Sequence, residues 1–150
     1  MREKISVTSS IWVFVNSVND GARMSRFLHL DAFTGRPGAL APLLAGHAVN
    51  PMNQPAASRI PLRTLEECYR LGEAYDPRAA FERAAFAEAG ESLGRLLIAD
   101  LEVFQRQGLD KLDAPAMSAR YAPFGGTALG KEILDWLAGR YEFDPACLTD

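Results

Sequence analysis

Lys4-Ile5-Ser6-Val7-Thr8-Ser9-Ser10-Ile11-Trp12-Val13-Phe14-Val15-Asn16-Ser17-Val18, followed by Asn19-Asp20-Gly21, carries the strand signal on which the fold class turns. Ile5, Val7, Ile11, Val13 and Val15 share one parity, and Lys4, Ser6, Thr8, Ser10 and Asn16 share the other, which is the period of a strand. Trp12, Phe14 and Val18 make the second half apolar on both parities, so that half is expected to be covered on both faces. Asn19-Asp20-Gly21 has the chemistry of a tight turn, because Asn, Asp and Gly accept positive backbone angles at low cost. The reading is therefore a β-hairpin, with residues 23–30 returning as the second strand and a short helix over residues 22–30 as the competing assignment. Two strands alone are marginal, so the hairpin is expected to pack on helices or to pair with another chain.

Outward from the hairpin, residues 34–63 are punctuated by Gly35, Pro37, Gly38, Pro42, Gly46, Pro51, Pro55 and Pro61. This density predicts an extended loop without regular structure longer than a turn, residues 42–46 being the one exception. Thr64-Leu65-Glu66-Glu67 has the form of a capping box and predicts a helix start. Asp76-Pro77 predicts a second start, with aspartate as cap and proline as first residue. The helical run from there continues past Gly90 and Gly94 to Gln107 as one helix or two, with Ala89-Gly90-Glu91-Ser92 as the natural place for a break or kink and Gly108 as the C-terminal stop. A loop through Pro115 and Pro123 then leads to a last amphipathic helix, predicted from about Ala128 to Ala138 and stopped by Gly139. The expected fold class is α+β: a single domain over residues 1–150, with a hairpin region (1–33), an extended loop (34–63) and a region of three to five packed helices (64–150).

With 48% hydrophobic and 23% charged residues in a chain of 150, composition is that of a globular chain with enough length for a core. Charge is uneven along it. Residues 1–63 carry Arg2, Lys4, Arg23, Arg26, Arg36, Arg59 and Arg63 against Glu3, Asp20 and Asp31, about +4, so a net of -3 leaves about -7 on the rest. Cys68 and Cys147 form no disulfide framework or metal motif, which fits a reducing compartment. Glu3, the serines before Ile11 and the sequence Asn19-Asp20-Gly21 do not suit a secretory signal, and no run reaches the roughly 18 apolar residues of a membrane span. The expectation is a cytoplasmic protein without a membrane segment, and the Ala and Arg bias accords with a GC-rich bacterial coding sequence.

Gly125-Gly126-Thr127-Ala128-Leu129-Gly130-Lys131-Glu132 nearly spells a phosphate-binding loop, but Glu132 stands where the magnesium-holding hydroxyl is required. The segment reads instead as a helix start capped by Thr127, whose N-terminus is a candidate anion site. Asp100 falls inside the apolar stripe of Leu93, Leu96, Leu97, Leu101 and Phe104. A carboxylate there needs a partner, which makes Asp100 a candidate pocket acid with His29 or His47 for proton transfer. The spacing of histidines, cysteines and acids supports neither a metal site nor a cofactor site. Cys68, on the apolar face of its helix, reads as a core thiol.

No coherent catalytic constellation emerges. The functional expectation is a small accessory or regulatory protein acting by binding another protein, or by self-association, with Arg36, Leu43 and Leu44 in the proline-rich segment as contact candidates. The alternative is a small enzyme or ligand-binding domain built around Asp100. A third, nucleic-acid binding by Arg23, Arg26 and Arg36 with nearby aromatics, is opposed by the acidic balance and the absence of a recognition motif.

Overall fold

The computed structural model describes residues 11–16 and 24–141. The described chain is mostly helical, with one two-stranded sheet. Its elements are β1 (Ile11–Asn16), β2 (Leu44–Asn50), α1 (Pro55–Leu71), α2 (Pro77–Glu102), α3 (Ala114–Tyr121) and α4 (Ala128–Leu137). Short 3-10 turns lie at Met24–Arg26, Gly38–Leu43, Gly72–Ala74 and Ala122–Phe124, and a π turn at Val103–Gln107 extends α2.

The strand expected at the start of the chain is present as β1, but the hairpin is not. β1 pairs in parallel with β2, in a register that sets Val13 opposite His47 and Asn16 opposite Asn50. A parallel partner requires a crossover of a dozen or more residues, which residues 24–43 help to supply. The predicted turn at Asn19-Asp20-Gly21 lies outside the described residues. In place of a return strand, residues 27–33 run inward as irregular chain, with Leu28 and Leu30 wholly buried. Their backbone is satisfied by the π turn: Leu28 N–H donates to the Phe104 carbonyl (3.0 Å), and the N–H groups of Leu30 and Asp31 donate to Gln105 Oε1 (2.8 and 3.1 Å). These long-range bonds remove the need for a second hairpin strand.

The expected 34–63 loop is also corrected, because it contains β2 and the first half of α1. Pro55 occupies the first turn of α1, where its missing N–H costs nothing, and Pro61 lies inside the helix. Thr64 is consequently mid-helix rather than a cap. Its buried hydroxyl donates to the Pro61 carbonyl (2.7 Å) and accepts from Phe33 N–H (2.9 Å), so it secures the incoming crossover.

Asp76 caps α2 as expected, accepting from the N–H groups of Arg78 and Ala79 (2.9 and 3.1 Å). Gly90 breaks the helix with φ of 72°, a left-handed value that glycine adopts without Cβ strain. The two halves fold toward each other so closely that a Cβ on Gly94 would sit 2.8 Å from Phe86 Cδ1. Leu93, Leu97 and Phe104 then join Phe81, Ile60, Tyr121, Ile133 and Trp136 in one core. The predicted apolar face of α4, Leu129, Ile133, Trp136 and Leu137, is buried throughout. α3 occupies much of what had been expected as a loop around Pro115, its cap supplied by Asp113 accepting from Ala116 N–H (3.0 Å).

Candidate functional site at the strand ends

In parallel sheets ligands gather at the carboxyl ends of the strands, where the chain leaves the sheet and helix N-termini begin. Here those ends are Asn16 and Asn50, register partners at the last position of β1 and β2. Asn50 is exposed and carries both a donor and an acceptor, as recognition of a polar ligand requires. Residues 51–54 lead directly to α1, and Met52 and Gln54 in this short loop are buried at 4% and 0% exposure. Met52 Sδ accepts from the backbone N–H of His29 (3.1 Å), while Ser58 Oγ donates to the Gln54 carbonyl (2.8 Å). The loop behind Asn50 is therefore fastened to both the crossover and α1.

The N-terminus of α1 is closed from a distance. Gln54, its cap residue, makes no side-chain capping bond. Ala56 and Ala57 instead donate their N–H groups to Glu132 Oε1 and Oε2, both at 2.9 Å. Glu132 is the residue that spoils the phosphate-loop pattern, and its buried carboxylate serves another helix.

His29 stands beside this loop. Gln105 Oε1 is occupied by two backbone donors, so its amide nitrogen faces His29 Nδ1 (3.3 Å) and places the imidazole proton on the buried Nε2, toward the Met24 backbone. Burial lowers the His29 pKa below the ordinary 6.5. His47, in β2, meets the Tyr69 hydroxyl through Nδ1 (2.8 Å) and the edges of Phe33 and Tyr69. Its pKa is also lowered, first by burial and then by the charge of Arg36.

Asp100 has different partners. Arg120 Nη1 donates to Oδ1 (2.7 Å) and the buried Tyr121 hydroxyl to Oδ2 (2.8 Å), tying α2 to α3. The structure thus gives Asp100, His29 and His47 three separate sets of hydrogen-bond partners. None of the three lines the groove of about 1170 Å³ between the halves of α2 and the 31–34 segment, whose wall includes Asp31, Phe81, Phe86, Ile98 and Arg106.

The remaining candidates are equally well located. Thr127 caps α4 by accepting from Gly130 N–H (3.0 Å), beside a cleft of about 120 Å³ that also touches Arg59 and Glu88. Leu43 is 63% exposed at the entrance to β2, and Leu44 is its first, half-buried residue. Arg36 offers its carbonyl to Cys68 Sγ (3.2 Å) and packs near His47. Burial raises the Cys68 thiol pKa, in keeping with a core role. No group of three or more His, Cys, Asp or Glu side chains that could hold a metal occurs among the described residues, and no described helix is long and apolar enough to cross a membrane.

Sequence reasoning missed Asn50, Gln105 and Glu132. The signal for Asn50 was present in Ala48-Val49-Asn50-Pro51, an apolar run ending in a polar residue before proline, but eight nearby prolines and glycines had marked the whole segment as loop. Glu132 and Gln105 act on residues about 75 positions away, and no local pattern reveals such partners.

Against known proteins, no curated protein matches the chain. Among solved structures, a mutant of the Thermobaculum terrenum O-GlcNAc hydrolase is similar in fold, with a TM-score of 0.53 at 24% identity over 83% of this chain. The aligned part makes up 34% of that protein, so this chain spans about a third of its relative's length. The sequence model described as NAGidase, beta-N-acetylglucosaminidase, matches residues 2–99, a segment that takes in both strands, α1 and most of α2. This finding overturns the expectation of a non-catalytic accessory or regulatory protein. By a match covering well over half of its length, the chain belongs to the beta-N-acetylglucosaminidase family.

Proposed function

We propose that this chain is part of a glycoside hydrolase that cleaves β-linked N-acetylglucosamine, and that it contributes sugar-binding groups at the carboxyl ends of β1 and β2. The observation that carries this reading is the family match across residues 2–99, which encloses the whole strand-end region. An N-acetylated sugar presents hydroxyls, an amide N–H and an amide carbonyl. The side-chain amide of Asn50 can donate to one such group and accept from another.

Most glycoside hydrolases act with two carboxyl groups flanking the scissile bond. The two strand ends here carry amides rather than a carboxylate pair. In this reading the chain binds and orients the sugar, and the acid and base groups come from elsewhere in the polypeptide. Such orientation contributes to rate by holding the reacting bond in place.

The test is hydrolysis of 4-nitrophenyl N-acetyl-β-D-glucosaminide by the complete protein. Measurable turnover, with kcat/KM reduced about tenfold or more in Asn50→Ala, is the expected outcome for loss of a substrate hydrogen bond worth at least about 1.4 kcal/mol. Turnover unaffected by Asn50→Ala would remove Asn50 from the site, and no turnover of β-N-acetylglucosaminides would refute the activity.

A further inference from the structure

We infer that Glu132 is a positioning residue for the strand-end site, reaching from α4 to fix the first turn of α1 and, through it, the loop that carries Asn50. The inference rests on the glycosidase reading only for the identity of what Asn50 binds. Its structural part stands on the donor accounting of α1. A helix leaves its first N–H groups without intrahelical partners. Pro55 has none to offer, Ser58 N–H already bonds to the Gln54 carbonyl (2.9 Å), and the two between, on Ala56 and Ala57, are each taken by one oxygen of Glu132. A carboxylate at the positive end of a helix is also favoured by the helix dipole.

The arrangement is rigid at both ends. Glu132 is 9% exposed on a helix held by the Thr127 cap and by Trp136 Nε1, which donates to the Ser25 carbonyl (3.0 Å). On the other side only residues 51–55 separate Ala56 from Asn50, and Met52 and Gln54 among them are buried. A shift of the first turn of α1 has little slack in which to dissipate before it reaches Asn50. Glu132 also lies beyond residues 2–99, so the region after the family match supplies the support for a site within it.

The experiment uses the complete protein and the variants Glu132→Ala and Glu132→Gln. Amide hydrogen exchange at Ala56 and Ala57, the NMR resonances of the Asn50 side-chain amide, and kcat and KM for 4-nitrophenyl N-acetyl-β-D-glucosaminide are compared. Glu132→Ala should speed exchange at both alanines, move the Asn50 resonances and raise KM about tenfold, since small misplacements at a binding site are costly. Glu132→Gln keeps one acceptor oxygen and should restore part of each effect while preserving the fold. Faster exchange at Ala56 and Ala57 with Asn50 resonances and KM unchanged in both variants would overturn the inference, leaving Glu132 as a cap that only stabilises. Displaced Asn50 resonances in a protein that hydrolyses no β-N-acetylglucosaminide would uphold the positioning role and reject the glycosidase reading.

Discussion

Asp100 illustrates how one residue can be conspicuous in a sequence and still need a structure to explain it. Its place among Leu93, Leu97 and Phe104 was legible from helical spacing, and it is indeed 5% exposed beside them. Its partners were not legible, because Arg120 and Tyr121 come from a helix that the sequence presented as a loop with prolines. Burial, and then the adjacent Asp100 charge, push the Tyr121 phenol far above its usual range, so it remains a proton donor throughout the ordinary pH range. Removing that donor leaves one carboxylate oxygen buried and unmatched. Tyr121→Phe should therefore lower stability by about 1–3 kcal/mol, read as a lower urea midpoint with unchanged m-value. A midpoint equal to that of the unaltered protein would show that water reaches Asp100 freely.

At the scale of elements, the glycine-rich entry to α4 shows which glycines matter and why. The near-signature drew attention to Gly125 and Gly126, yet Gly125 has an ordinary φ of -60°, and neither is among the glycines with positive φ. A Cβ on Gly126 would meet nothing within 4 Å, whereas one on Gly130 would collide with the backbone carbonyl of Phe124. Gly→Ala inside a helix is ordinarily favourable by about 1 kcal/mol, but a backbone carbonyl cannot swing aside as a flexible side chain can. Gly130→Ala is expected to lower stability by about 1–3 kcal/mol and Gly126→Ala to change it by less than about 0.5, compared by thermal melts. Equal melting temperatures for the two variants would contradict the close packing of α4 on Phe124. The break at Gly90 belongs to the same scale and was foreseen from propensity, since it is set by the local cost of glycine in a helix.

Across the whole molecule the uneven charge of the sequence acquires a meaning. Arginines of the basic first part pair with acids of the second: Arg26 with Asp110, and Arg59 and Arg63 with Glu88. The dipolar sequence is partly neutralised within the fold, which weakens the case for an oppositely charged partner. Glu88, whose side chain is only 5% exposed, is pulled up by burial, yet the hydrogen bonds and charges of Arg63 and Arg59 bring its pKa below the usual value. His29 and His47 set the response to mild acid. Each has a folded-state pKa below the ordinary 6.5, so below that pH the unfolded chain binds more protons than the folded one, and stability falls as pH drops. The melting temperature should be flat above about pH 7 and decline toward pH 5, with a shallower decline in His29→Gln and His47→Gln. An unchanged slope in both variants would assign the decline to other groups.

The sequence by itself determined the existence of β1, the cap and break of α2, the apolar face of α4 and the burial of Asp100. Each follows from propensity, capping chemistry or periodicity within a few turns of chain. Tertiary structure decided the parallel partner of β1, the continuation of α1 back through Pro61 to Pro55, and the service of Glu132 to a distant helix. These outcomes depend on satisfying backbone donors and closing a core with groups separated by tens of residues, and such long-range complementarity leaves no local pattern to read.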